Sequence, residues 1–124
     1  MKKRVYIAGP ITKGPLDHNI NQATDAFIAL CKAGHAPFAP QWSCYSGRAN
    51  KTAEGHVVAF AGVTPNELTH EDWYGLDLAW VAVSDAVLRL PGDSTGADKE
   101  VALAREKGIP VFHSLDELLA GLPA

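Results

Sequence analysis

Two carboxylates on separate predicted helices stand apart from the ordinary charged surface of this sequence. In GDSTGADKEVALA, residues 92–104, a glycine- and hydroxyl-rich turn leads into a helix of small apolar residues, with Glu100 near its start. Thr95-Gly96-Ala97-Asp98 fits a capping box with Asp98 at N3, so an acid for the helix N-terminus is already supplied. Glu100 lies one turn after Ala97 and ahead of Leu103 and Ala104, beside the face that must pack on a sheet. A carboxylate on that boundary is either a satisfied structural acid or a group with a raised pKa held for chemistry. Asp77 is the second. It follows Trp73 by four residues and precedes Trp80 by three, so its helical neighbours are aromatic rather than charged. An N-cap or an ordinary polar edge is the plainer account of it. As a pair, such acids suit glycosidic-bond chemistry, in which one attacks or stabilises the sugar and the other serves the leaving group.

Other residues could join them. Tyr6, near the end of a first strand, either aims its hydroxyl at the pair or is plain core. Ser94 and the backbone amides around Gly96 form a phosphate seat at a helix N-terminus or a simple hydroxyl turn. Gly9, the other glycines of GPITKGP and Lys13 would contribute from the opposite side. That loop has neither the GxxxxGK[ST] spacing of a P-loop nor the GxGxxG of a Rossmann loop. Trp42, Tyr45 and Trp73 are candidates to stack a nucleobase, or anchors for packing. Asp85 reads as structural. The five histidines are scattered without HExxH or zinc spacing, so no metal is expected. No Ser-His-Asp or Cys-His arrangement follows from the spacing.

The elements that must position these groups alternate along the chain. Val5–Ala8, Ala36–Ala39, Ala86–Leu90 and Ile109–His113 read as short strands, the second clipped by Pro37 and Pro40 and therefore suited to a sheet edge. Asn19 can cap a first helix bearing Ala23, Phe27 and Leu30 on one face and stopped by Gly34. Thr64-Pro65-Asn66-Glu67 looks like a capping box opening helical sequence to Val83, with a break near Thr69. Gly96–Lys107 is a helix, and Ser114-Leu115-Asp116-Glu117 caps the last one. Gln41 to Thr64 shows little periodicity and reads as a lid, a partner contact or disorder; within it the apolar HVVAFAGV, residues 56–63, is a contact surface or an extra short strand. Apolar strands joined by helical crossovers predict a parallel α/β sheet covered on both faces, flavodoxin-like, with strand order 2-1-3-4. That order reverses between strands 1 and 3, where ligands of open α/β sheets bind beyond the strands' carboxyl ends. The loops there are Gly9–His18 and Pro91–Thr95.

Bulk properties set the frame. At 124 residues one domain, 1–124, is expected. A net charge of −3 gives no basic field to recruit a nucleic-acid polymer or anionic lipid. The apolar run after MKKR is too short for a signal peptide, and no stretch approaches a membrane span. Cys31 and Cys44 form no framework spacing, which fits a reduced cytoplasmic setting.

VYIAGPI, GLDLAWVAVSDAVLRLPG and STGADKEVALAREKGIPVF together resemble the nucleoside 2-deoxyribosyltransferase superfamily. The nearer likeness is to its small DUF4406-type branch and to the 2′-deoxynucleoside 5′-monophosphate N-glycosidases. It covers strand 1 and its loop plus residues 71–113, leaving Gln41–Thr64 outside. The resemblance implies Glu100 as nucleophile on the anomeric carbon, Asp77 as the acid that helps the base leave and Tyr6 as the residue orienting Glu100. Superfamily transferases for free nucleosides generally carry aspartate at the position of Ser94, whereas the monophosphate hydrolases carry serine, which tolerates a phosphate. Sites of the superfamily are completed across a subunit contact, which implies a homo-oligomer with Ser114 or His113 of a partner reaching the phosphate. Pro10 departs from the serine of several such hydrolases and removes an amide donor. The expected activity is N-glycosidic cleavage of a nucleoside or nucleotide, by hydrolysis or base exchange, without a cofactor. The alternatives are a non-catalytic nucleotide-binding sensor of the same fold and an NAD-type glycohydrolase.

Overall fold

The computed structural model describes residues 2–11, 13–43, 49–51, 57–60 and 68–123. Four parallel strands form the central sheet: β1 (Arg4–Ala8), β2 (Ala36–Phe38), β5 (Ala86–Arg89) and β6 (Val111–Phe112). Their order is β2-β1-β5-β6, the predicted 2-1-3-4, with β2 on the edge. A separate antiparallel pair, β3 (Ala49–Lys51) and β4 (Val57–Phe60), makes part of HVVAFAGV an extra short strand. With the four-residue helix α2 (Pro40–Ser43), it gives regular structure to a segment whose weak periodicity concealed it.

Alternation along the strands explains the three layers. Val5, Ile7 and Leu88 point to one face, where they pack with Ala23, Ala26 and Leu30 of α1 (Leu16–Lys32) and Leu118 of α5 (Leu115–Gly121). Tyr6, Ala8 and Val87 point to the other. There they meet Val81 of α3 (His70–Ala82) and Ala97, Val101 and Ala104 of α4 (Thr95–Glu106). The chemistry of interest lies in this second layer.

Helix ends depart from expectation in two places. Asn19 does not cap α1, which begins at Leu16 after Pro15; its buried side-chain amide donates to the carbonyls of Ile11 (3.1 Å) and Lys13 (2.9 Å). An asparagine inside a helix can serve the preceding loop as well as one at its end, and composition does not distinguish the two. In α4 the cap is Ser94, not Thr95: Ser94 Oγ accepts from the amide of Ala97 at 3.0 Å, and Asp98 turns to Arg89 instead. A charge-assisted partner there outweighs a reciprocal box. Thr69 caps α3 with a full capping box to Asp72, at the expected break, while Thr64–Glu67 lie outside the described residues. Gly34, at φ +91°, ends α1 as predicted, and Ser114 caps α5 by accepting from Glu117.

Candidate active site

The loops after β1 and β5 meet at the reversal of strand order. Gly9 lies against Leu90 and Gln41, and Gly92 packs on Pro10. Gln22 of α1 donates to the Pro91 carbonyl at 3.2 Å, and Lys13 approaches Asp93 at 3.8 Å. The last contact is exposed on both sides and contributes little to stability. The predicted pairing of these two loops is therefore realised.

Beside them, Glu100 and Asp77 are both drawn out of water, at 7% and 9% exposure. Glu100 comes from the sheet-facing stripe of α4 with Ala97, Val101 and Ala104; Asp77 comes from the inner side of α3. Burial raises the Glu100 pKa to about 7; a hydrogen bond from Tyr6 lowers it, the nearby Asp77 charge raises it, and Arg89 lowers it. Asp77 rises to about 6 through burial. Among the described residues one oxygen of each, Oδ1 of Asp77 and Oε2 of Glu100, has no hydrogen-bond partner. A carboxylate kept so is costly unless a ligand completes it. Tyr6, wholly buried in the central strand, supplies the phenol that joins β1 to this pair.

Three further residues define the surroundings, and none was singled out from the sequence. Tyr74 precedes Asp77 by one turn of α3, so helical periodicity held the signal. A Cβ on Gly96 would lie 3.9 Å from its hydroxyl, and the Lys99 ammonium sits 4.9 Å from its ring centre. Burial first, then the charges of Glu100, Asp77 and Asp98, raise its pKa. Arg89 ends β5, and its signal was a lone cation in an apolar strand. Gln41 is fully buried beside Gly9, with neither side-chain amide atom partnered among the described residues; only its place after Pro40 hinted at it.

The other predicted residues divide. Ser94 and Gly96 open α4, whose first-turn amides have no intrahelical acceptor. Ser114 follows β6 and caps α5. Trp73 is half-buried on α3 one turn before Asp77. The side chain of Trp42 and all of Tyr45 lie outside the described residues. The aromatic contacts found near the pair run elsewhere: Tyr6 stacks on Phe38 at 5.7 Å, and Phe38 on Trp80 at 5.6 Å. Among the described residues, no three or more His, Cys, Asp or Glu side chains are grouped to hold a metal ion.

Residues 44–113, which include Asp77, Ser94, Gly96 and Glu100, match the profile of the family described as Domain of unknown function (DUF4406). The chain belongs to the DUF4406 family. The match takes in most of the middle segment that the sequence resemblance left out, and it stops short of β1. Two solved structures share the fold of this DUF4406 chain. One is a conserved protein from Enterococcus faecalis V583, with a TM-score of 0.63 and 17% identity, covering 90% of this chain and 62% of that one. The other is a 2-deoxyribosyltransferase from the psychrotolerant bacterium Bacillus psychrosaccharolyticus, also at TM-score 0.63 and 17% identity, covering 97% of this chain and 96% of that one. The DUF4406 chain thus spans about three-fifths of the Enterococcus protein and nearly the whole transferase. No curated protein matches the sequence. The DUF4406 chain has the flavodoxin-like fold of a 2-deoxyribosyltransferase, as its motifs implied. Among the described residues no helix is long and apolar enough to cross a membrane.

Proposed function

We propose that this chain cleaves the N-glycosidic bond of a (deoxy)nucleoside 5′-monophosphate through a covalent glycosyl–Glu100 intermediate. The observation that carries the reading is the convergence of two buried acids, from separate helices, at the reversal of the sheet. The Glu100 carboxylate attacks C1′ as the bond from C1′ to the base nitrogen breaks, and the electron pair leaves with the base. Asp77 gives its proton to the departing base, which is released neutral. Water then attacks C1′, its proton passes to Asp77, and Glu100 returns as carboxylate. In base exchange, the ring nitrogen of a second base takes the place of water. Tyr6 orients Glu100. The amides opening α4, with Ser94, Gly96, Gly9 and Lys13, receive the 5′-phosphate; Trp42 and Trp73 flank the base, and Ser114 of a second copy completes the phosphate seat. The scheme uses no cofactor.

Incubation with dCMP, dGMP, dUMP, CMP and NAD, followed by chromatography for free base, tests this. At least one monophosphate should release base, and Glu100→Ala should lower turnover by about a thousandfold or more. Release that survives Glu100→Ala overturns the covalent scheme. Binding by thermal shift with no base released from any compound identifies a binding module instead, and release from NAD alone identifies a dinucleotide glycohydrolase.

A further inference from the structure

We propose that Arg89 is a positioning residue of this site: its guanidinium clamps the loop after β5 to the first turn of α4 and so fixes where Glu100 stands. The register pairs Arg89 with Ala8 and Val87 with Tyr6, so strand alternation puts the Arg89 side chain on the face shared by Tyr6 and α4. The side chain is only 11% exposed. A guanidinium that far from water must spend its donors on fixed acceptors. They go to the carbonyl of Leu90, the carbonyl of Gly92 at 2.9 Å and Asp98 Oδ1 at 3.1 Å. Two acceptors lie on the loop leading to Ser94, and the third is two residues before Glu100 on α4. One planar fork therefore ties strand end, loop and helix together, a geometry lysine lacks.

The clamp also has an electrostatic side. Glu100 is faced by Tyr6 of β1, Asp77 and Tyr74 of α3, and Arg89 of β5; Asp98 lies on its own helix, and the Lys99 ammonium is engaged over the Tyr74 ring. Arg89 is the cation that acts on Glu100 in this company, and it favours the charged form that nucleophilic attack requires. A merely structural staple would hold the loop without moving that titration.

Only the kinetic arm of the test rests on the glycosidic reading. Carboxyl-carbon NMR titration of Glu100 is compared in wild type, Arg89→Met and Arg89→Lys, with amide exchange followed at Ala97 and Asp98, whose amides are held by Ser94. Arg89→Met should raise the Glu100 midpoint by about half a unit or more, while Arg89→Lys keeps it near wild type. Both variants should lose protection at these two amides. An unmoved midpoint in folded Arg89→Met overturns the electrostatic role. Full protection of both amides in Arg89→Lys, which decides the matter should the methionine variant not fold, overturns the clamp. In kinetics, Arg89→Lys should lose about tenfold in kcat with little change in KM, the mark of misplacement rather than lost binding. A wild type that releases no base sinks the glycosidic reading and leaves the titration to decide the role of Arg89.

Discussion

Glu100 and Asp77 are given opposite protonation states by the proposed chemistry: the nucleophile ionised, the acid protonated. Burial raises both above ordinary carboxylates, to about 7 and about 6, so each can hold or release a proton near neutrality. The two groups interact, so the protons leave in two steps belonging to the pair, and the singly protonated pair that the chemistry uses is most populated between those steps. The expected kcat/KM profile is a narrow bell with its maximum between about pH 6 and 7. A flat profile from pH 5 to 9 would contradict it. Stopped assays of base release across that range make the check. At this scale the sequence disclosed Glu100 and Asp77 because an acid among alanines or tryptophans is conspicuous. It hid Gln41 because nothing local marks an amide buried beside Gly9, a residue remote in sequence.

Loops and helix ends were legible in kind more than in detail. Serine followed by threonine offered two possible caps for α4; Ser94 takes the role while Asp98 turns to Arg89, a contact no capping pattern encodes. Strand order was readable because clipped, proline-bounded Ala36–Phe38 suits an edge and apolar Ala86–Arg89 a centre. The β5–α4 loop also makes a demand that only coordinates reveal. Gly92 has φ +117°, and a Cβ there would approach Pro10 Cγ to 2.8 Å. Gly92→Ala should therefore destabilise the fold by about 1–3 kcal/mol and displace the loops after β1 and β5. Urea unfolding measures the first effect; an unchanged midpoint would show that the loop accommodates the methyl group.

For the molecule as a whole, buried acids at the site make stability depend on pH. Both carboxyls bind protons more tightly when folded than when unfolded, so their contribution is complete below the unfolded values. It is lost as pH rises through about 6 and about 7. Glu100→Gln removes the larger share. The variant should match wild type near pH 4 and exceed it at pH 8 by on the order of 2 kcal/mol, read from chemical denaturation at each pH. Equal stability at pH 8 would mean that the carboxylate is hydrated in solution. Apolar residues surround α3 rather than forming one stripe; Leu76 and Trp80 stand exposed on it and Val83 at its C-cap. The stack from Tyr6 through Phe38 ends at Trp80, itself 49% exposed. It runs from the sealed middle of the sheet to the solvent. An indole so placed is an optical gauge wired to the Tyr6 phenol: with Trp42 and Trp73 replaced by phenylalanine, its emission should change colour whenever a ligand displaces Tyr6.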